Sequence, residues 1–262
     1  MRAALVVEVI PILLYHSVED RPRRRERRYT VSPADFVTHV DAVKASGRTP
    51  LSITELAEAR RGERPLPDRP VAVTFDDGDA NTYEAVMALL SRGLSATIYV
   101  TAGEIGEWNR LSPARLAELA NLASVEVGAH AVHHQRLDEL PDRELRTEVR
   151  VSKAVLEELT QVQVRSFAYP HGAYDRRTRE AVIDAGYRSA AAVKNAVSHS
   201  RDDVFAIARW TVTAHTPASR ISRVLEGDGV RRAWVYERRI TRAHRFARRQ
   251  RRRLTTMLRR RP

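Results

Sequence analysis

The sequence predicts an α/β fold built on a mostly parallel sheet, and three observations carry this prediction. Apolar or β-branched runs alternate with helical stretches along most of the 262 residues, as expected for strands joined by crossover helices. About seven such units are present, which is typical of a barrel or of a doubly wound sheet. The chain is 43% hydrophobic and 30% charged, which is the composition of a globular protein with a substantial core.

The predicted strands are short runs rich in Val, Ile, Ala and Phe. They cover residues 9–15, 71–75, 96–100, 125–128, 165–169, 189–193 and 210–213. Four helices have start signals, with Ser, Pro or Asp just before residues 36–45, 114–120, 144–159 and 178–185. Gly47, Gly93 and Gly186 follow helical stretches and are predicted to end them. The Pro-rich residues 60–70 are predicted to be a linker.

The net charge of +12 is concentrated at the C-terminus. Residues 231–262 contain fourteen Arg and a single acid, Glu237, so that residues 1–230 are close to neutral. The sequence therefore predicts one domain over 1–230 and a basic tail over 231–262. Apolar residues at helical spacing in the tail favour an amphipathic helix at an anionic membrane face, and a disordered, solvated tail is the alternative. A smaller basic cluster lies in residues 21–28.

Several classes of protein are excluded or disfavoured. The chain has no Cys, so a metal site must use His, Asp or Glu. Nucleic-acid binding is disfavoured because the tail has few aromatic residues and no recognition motif. The apolar N-terminal stretch is interrupted by Glu8 and Pro11 and lacks a cleavage site. We therefore expect a cytoplasmic protein, peripheral at the membrane if the tail binds there, with an uncleaved export signal as the alternative.

Two acidic residues directly follow the predicted strand 71–75. Asp76 and Asp77 are adjacent and Gly78 allows a sharp turn after them. Because adjacent residues leaving a strand point in different directions, one carboxylate can bind a metal while the other acts as a base. The alternative is turn and helix-capping chemistry without catalysis.

Three histidines follow the predicted strand 125–128. His130 and His134 have the i, i+4 spacing at which two imidazoles on one helical face bind one zinc ion. Asp77 would complete a triad of two His and one carboxylate. His133 points elsewhere in that geometry and is predicted not to be a ligand.

Two further strand ends carry polar groups. The strand that begins at Arg165 is followed by Tyr169, Pro170, His171 and Gly172, a turn whose N–H groups could face a substrate oxygen. An ordinary strand-turn is the alternative. His16 ends the first predicted strand, where packing and function are equally compatible with the sequence.

In chain order, Thr74-Phe-Asp-Asp-Gly78, His130 to His134 and Arg165 to Gly172 resemble the first three motifs of the polysaccharide deacetylase family, carbohydrate esterase family 4 with its NodB homology domain. The resemblance covers about residues 9–215. It implies a distorted (β/α) barrel of about seven parallel strands, related to the TIM barrel.

The resemblance also implies residue roles. Asp76 would be the general base. Asp77, His130 and His134 would hold a divalent metal, with Zn²⁺ as the first candidate. Arg165 would orient Asp76 and keep it ionised. The remaining implied residues are Tyr169, whose N–H would bind the oxyanion, and the substrate contacts Tyr169, Pro170, His171 and Trp210.

The catalytic acid is assigned from a displaced motif. The Leu-x-His motif that the family carries near the C-terminus is absent there, and His215 is a weak substitute. Leu14-Tyr15-His16 resembles that motif in circularly permuted members, which implies His16 as the acid. Ala131 and Gln135 depart from the family's second motif, where Ser or Thr and Pro are usual, and leave open how the His-bearing loop is braced.

The function expected from the resemblance is metal-dependent hydrolysis of acetyl groups from N-acetylated sugars of a polysaccharide or glycan intermediate. Two alternatives stay open. One is hydrolysis of O-acetyl esters, and the other is a weakly active or inactive carbohydrate-binding domain. The expected partner is an N-acetylated glycan or glycan-lipid.

Overall fold

Seven parallel strands close into a barrel in a computed structural model of the chain, which describes residues 9–22, 24 and 26–233. Strand β2 pairs with β6 on one side and with β12 on the other, so the sheet has no free edge between its first and last barrel strands. The barrel strands are β2, β6, β7, β8, β9, β10 and β12. The predicted barrel is confirmed, and an open doubly wound sheet is excluded. The strands are β1 (Val9–Ile10), β2 (Ile12–Tyr15), β3 (Ser17–Val18), β4 (Thr30–Val31), β5 (Thr49–Pro50), β6 (Pro70–Phe75), β7 (Ala96–Val100), β8 (Val125–Ala129), β9 (Ser166–Ala168), β10 (Ser189–Val193), β11 (Ser198–His199) and β12 (Ile207–Thr211).

Helices surround the barrel at the positions that their start signals indicate. Ser32, Ser112 and Asp175 each accept a hydrogen bond from the N–H three residues on, which caps α1, α4 and α6. Gly47, Gly93 and Gly186 all have positive φ and follow α1, α3 and α6 as predicted. The helices are α1 (Pro33–Ala45), α2 (Ile53–Arg60), α3 (Thr82–Leu90), α4 (Pro113–Ala120), α5 (Asp142–Thr160), α6 (Arg176–Asp184) and α7 (Ala218–Leu225).

Two predicted strands differ from the observed ones. The run 9–15 is divided at Pro11, which has no N–H for a ladder, and its first part pairs antiparallel with β11 outside the barrel. The last barrel strand begins at Ile207 instead of residue 210, because the buried Arg209 interrupts the apolar run that would identify it.

Helix α2 closes one end of the barrel. Ile53 and Leu56 pack in one buried cluster with barrel-strand residues that include Ile12, Ala191 and Ile207. The first N–H groups of α2 donate to the side chains of Thr97 and Glu126, on β7 and β8. Since this end is filled, the open end of the barrel lies at the carboxyl ends of the strands, where parallel barrels place their active sites.

The predicted tail falls largely outside the described residues, which end at Ala233. The proposed boundary between a domain over 1–230 and a tail over 231–262 therefore stays a prediction. Within the described part of the chain, no helix has the length and apolar character needed to cross a bilayer.

Candidate active site

A cavity of about 550 Å³ opens at the carboxyl ends of the strands. It holds most of the polar residues that the sequence singled out after strands, including His16, the two adjacent aspartates and the histidines that follow β8. Its lining residues are His16, Arg28, Tyr29, Asp76, Asp77, His130, His134, His171, Val193, Asn195, Thr211 and Thr213. A second cavity of similar size lies beside α2 at the closed end of the barrel and contains none of these residues.

Asp77, His130 and His134 converge as a candidate metal site. One carboxylate oxygen of Asp77 lies 3.5 Å from His130 Nε2 and 3.3 Å from His134 Nε2, and the three ligand atoms lie within 4.8 Å of one another. That Asp77 oxygen is buried and has no hydrogen-bond partner in the described part of the chain. A buried, unpartnered carboxylate oxygen facing two imidazoles fits a divalent ion bound by two His and one carboxylate.

The protonation of His130 suits a metal ligand. Its Nδ1 lies 2.8 Å from the Ala168 carbonyl, which can only accept, so Nδ1 carries the proton and Nε2 is left with a lone pair. Burial lowers the pKa of His130 to about 4, so the ring is neutral at pH 7.

The candidate ligands lie in two strained segments, after β6 and after β8, and a helix braces the second of them. Asp77, Ala131 and His134 all have positive φ, a conformation that is uncommon for residues with a side chain. Glu148 on α5 accepts hydrogen bonds from the N–H groups of Val132 and His133, both at 2.9 Å. Its second oxygen lies 2.6 Å from His133 Nδ1. Glu148 thus braces the loop despite Ala131, and His133 points away from the ligands as predicted.

Arg209 holds the second aspartate, Asp76. The guanidinium of Arg209 donates to both carboxylate oxygens of Asp76, at 2.6 and 2.8 Å, and both residues are buried. Burial alone would raise the pKa of Asp76, but the Arg209 charge, with smaller contributions from His130 and His16, lowers that pKa to about 2. Asp76 is therefore an ionised carboxylate beside the candidate metal site.

The prediction that Arg165 is the partner of Asp76 is wrong. Arg165 precedes β9, at the end of the barrel that α2 closes, and it is exposed beside Glu58 and Gln163. Arg209 stands in the interior because residues two apart along β12 face the same side. Ile207 packs in the barrel cluster and Thr211 lines the cavity, so Arg209 between them also faces inward. A lone Arg in a run of apolar residues was the available sequence signal.

The predicted acid, His16, lies at the cavity wall. It follows β2, its Nδ1 is buried without a hydrogen-bond partner in the described residues, and its ring centroid lies 5.1 Å from that of Tyr29. His215 is exposed and is not among the cavity residues.

The predicted roles of Tyr169 and Trp210 are also corrected. The Tyr169 N–H donates to the Ala191 carbonyl in the β-ladder, and its hydroxyl donates to the Phe205 carbonyl, so neither group faces the cavity. Trp210 alternates with Arg209 and therefore points outward, where Arg220 lies over its ring.

The turn after Tyr169 is part of the site. Pro170 is buried at the start of this turn. The following residue, His171, lines the cavity, and its ring centroid lies 4.4 Å from that of His134. His171 has a φ of 59°, so the turn is a further strained element beside the metal ligands.

Comparisons with known proteins agree with this fold. The family model for polysaccharide deacetylases matches residues 63–190. A putative polysaccharide deacetylase of Bacillus subtilis strain 168, YxkH, is 23% identical over 218 residues, which is 83% of this chain and 76% of that protein. A poly-β-1,6-N-acetyl-D-glucosamine N-deacetylase of Escherichia coli K12 is 34% identical over 76 residues, which is 29% of this chain and 11% of that protein.

A solved structure shares the fold. The deacetylase PplD of Streptococcus pyogenes, in complex with acetate, superposes with a TM-score of 0.76 at 21% identity. The superposition covers 84% of this chain and 99% of that one. The matches do not test a circular permutation, which stays a prediction. Residues 63–190 of the chain thus match the polysaccharide deacetylase family, and the curated relatives and the closed barrel support a deacetylase.

Proposed function

We propose that this chain hydrolyses the acetamide of an N-acetylated sugar within a glycan. In this proposal Asp77, His130 and His134 hold a divalent metal, with Zn²⁺ as the first candidate. The observation that carries the proposal is the Asp76 carboxylate, bound through both oxygens by Arg209, next to a buried Asp77 oxygen that has no hydrogen-bond partner among the described residues. Such a pair of carboxylates divides the work between base and ligand.

Asp76 acts on the attacking water. A divalent ion in the site would polarise the acetyl carbonyl and lower the pKa of that water. Asp76 accepts the proton as the water oxygen bonds to the carbonyl carbon. Because Arg209 binds both Asp76 oxygens, the carboxylate is held in one orientation while it does so.

His16 acts on the leaving group. An amide nitrogen leaves as an amine only if it gains a proton when the C–N bond breaks. His16 lines the same cavity as Asp76, and its Nδ1 has no hydrogen-bond partner within the described residues. We assign the proton donation to His16, and the products are acetate and a free amino sugar.

The N–H of His171 is assigned to the developing oxyanion. In this turn Tyr169, Gly172 and Ala173 donate their N–H groups to backbone carbonyls, and Pro170 has none. His171 is left as the donor next to the cavity, and backbone N–H groups placed in advance are well suited to an oxyanion.

The test is acetate release by the zinc-loaded full chain from N-acetylglucosamine oligomers, peptidoglycan fragments, lipid-linked N-acetyl sugars and an acetyl ester. We expect release from at least one amide substrate, reduced by at least about 10²-fold in Asp76→Asn. The exposed control Asp142→Asn should match the wild type. Release from the ester alone would make the protein an O-acetyl esterase. Zinc and substrate binding without release from any member of the panel would favour a binding domain.

A further inference from the structure

One wall of the cavity carries a permanent positive charge. Among the lining residues of the described chain, Arg28 is the one Lys or Arg. It is exposed, and the described residues give it no carboxylate partner. Its contact is with the neighbouring ring of Tyr29, whose centroid lies 5.5 Å from the guanidinium carbon.

The backbone around Arg28 is anchored at the site. The Arg28 carbonyl accepts a hydrogen bond from the N–H of Ala214, in the segment that follows β12. The Tyr29 N–H and the Thr30 hydroxyl both donate to the Glu26 carbonyl, which closes the turn before β4. Arg28 is therefore presented at the cavity by a fixed turn.

The charges deeper in the cavity leave Arg28 available for a ligand. The carboxylate of Asp76 is already bound by Arg209, and Asp77 faces the two histidines. Beside Arg28, the Tyr29 ring approaches that of His16. Arg28, Tyr29 and His16 thus form a continuous wall, with a guanidinium at the outer end and the proposed acid at the inner end.

We propose that Arg28 selects substrates that carry an anionic group, a carboxylate or a phosphate, on or next to the sugar that is deacetylated. This inference rests on the proposed function and names a substrate class for it. A guanidinium binds either anion through paired N–H donors, whereas it gains little from a neutral hydroxyl.

The test is the binding of three probes to the full chain with Asp76→Asn, which blocks turnover. The probes are N,N′-diacetylchitobiose, the disaccharide of N-acetylglucosamine and N-acetylmuramic acid, and N-acetylglucosamine 1-phosphate. Calorimetry measures the affinity of each probe for this parent and for three variants, in which Arg28→Gln, Arg28→Lys or Arg24→Gln is added to the parent. Arg24 is an exposed residue of the same loop outside the cavity lining, and the C-terminal tail is identical in all variants.

We expect at least one anionic probe to bind the parent about tenfold more tightly than the neutral probe. Arg28→Gln should abolish this difference without weakening the neutral probe, Arg28→Lys should keep part of it, and Arg24→Gln should keep all of it. The anionic probe whose preference is lost in Arg28→Gln shows whether Arg28 recognises a carboxylate or a phosphate. The preference should also fall with added salt.

Equal loss for all probes in Arg28→Gln, no change, or no binding by any probe would overturn the inference. The proposed function would fail separately if the parent bound the probes with this preference but the wild-type chain released no acetate.

Discussion

The charge of the buried Asp76 depends on one residue, Arg209. Its guanidinium balances an equally buried carboxylate, and removing one partner of such a pair leaves an uncompensated charge in the interior. Arg165, by contrast, is exposed and paired loosely with Glu58, as is usual for surface ion pairs of small energetic effect.

Arg209→Ala should lower the free energy of unfolding by about 3–5 kcal/mol and remove most acetate release. Arg165→Ala should change stability by less than about 0.5 kcal/mol and leave the rate unchanged. Urea denaturation and acetate assays on both variants check this. Equal effects of the two substitutions would contradict the pairing of Asp76 with Arg209.

The role of His16 predicts a difference between amide and ester substrates. His16→Ala should reduce kcat/KM for an N-acetyl sugar by about 10²-fold or more. The kcat/KM for an activated ester such as an aryl acetate should fall much less, because its phenolate leaves without gaining a proton. Parallel assays with both substrates measure this. A similar loss on both would argue against His16 as the acid.

At the scale of elements, helix α5 determines the geometry of the loop after β8. Glu148 reaches the loop from that helix and binds two consecutive N–H groups beside His134. Neighbours that orient metal ligands commonly change metal affinity by one to two orders of magnitude.

Glu148→Gln should therefore weaken zinc binding by about 10- to 100-fold, because one carboxylate oxygen accepts from both N–H groups while the other faces His133 Nδ1, and an amide has a single acceptor oxygen. Glu144→Gln, an exposed residue of the same helix, is the matched control. Competition with a chromophoric chelator measures the affinities. Unchanged affinity in Glu148→Gln would show that the loop holds its shape without the brace.

For the whole molecule, the alternating strands and helices were predictable because strand patterns and helix start signals are local, and the family resemblance favoured a barrel over a doubly wound sheet. The aspartates and histidines were also predictable, since polar residues directly after apolar strands meet at one rim of a parallel barrel. Arg209 and Glu148 were missed because their partners lie 133 and 15 or 16 residues away. Arg165 and the Tyr169 N–H were misplaced because the motif gave their order along the chain but not the strand end or ladder in which they lie.

The barrel is complete in the described residues, and the last of these, Ala233, receives a hydrogen bond from His199. Truncation after Ala233 should therefore leave the thermal midpoint and acetate release unchanged. It should abolish pelleting with vesicles rich in anionic lipid, if the Arg-rich tail binds there as we propose. Equal pelleting of full-length and truncated chains would reject membrane binding by the tail.

The central claim is that Asp77, His130 and His134 hold the metal on which catalysis depends. The most direct measurement is an anomalous difference map at the zinc absorption edge, from crystals of the full chain grown with zinc. The account predicts one ion at the three ligand atoms, with bonds of about 2.0–2.2 Å, and its loss in His134→Asn. A fully occupied ion elsewhere, or a persistent signal in His134→Asn, would contradict it.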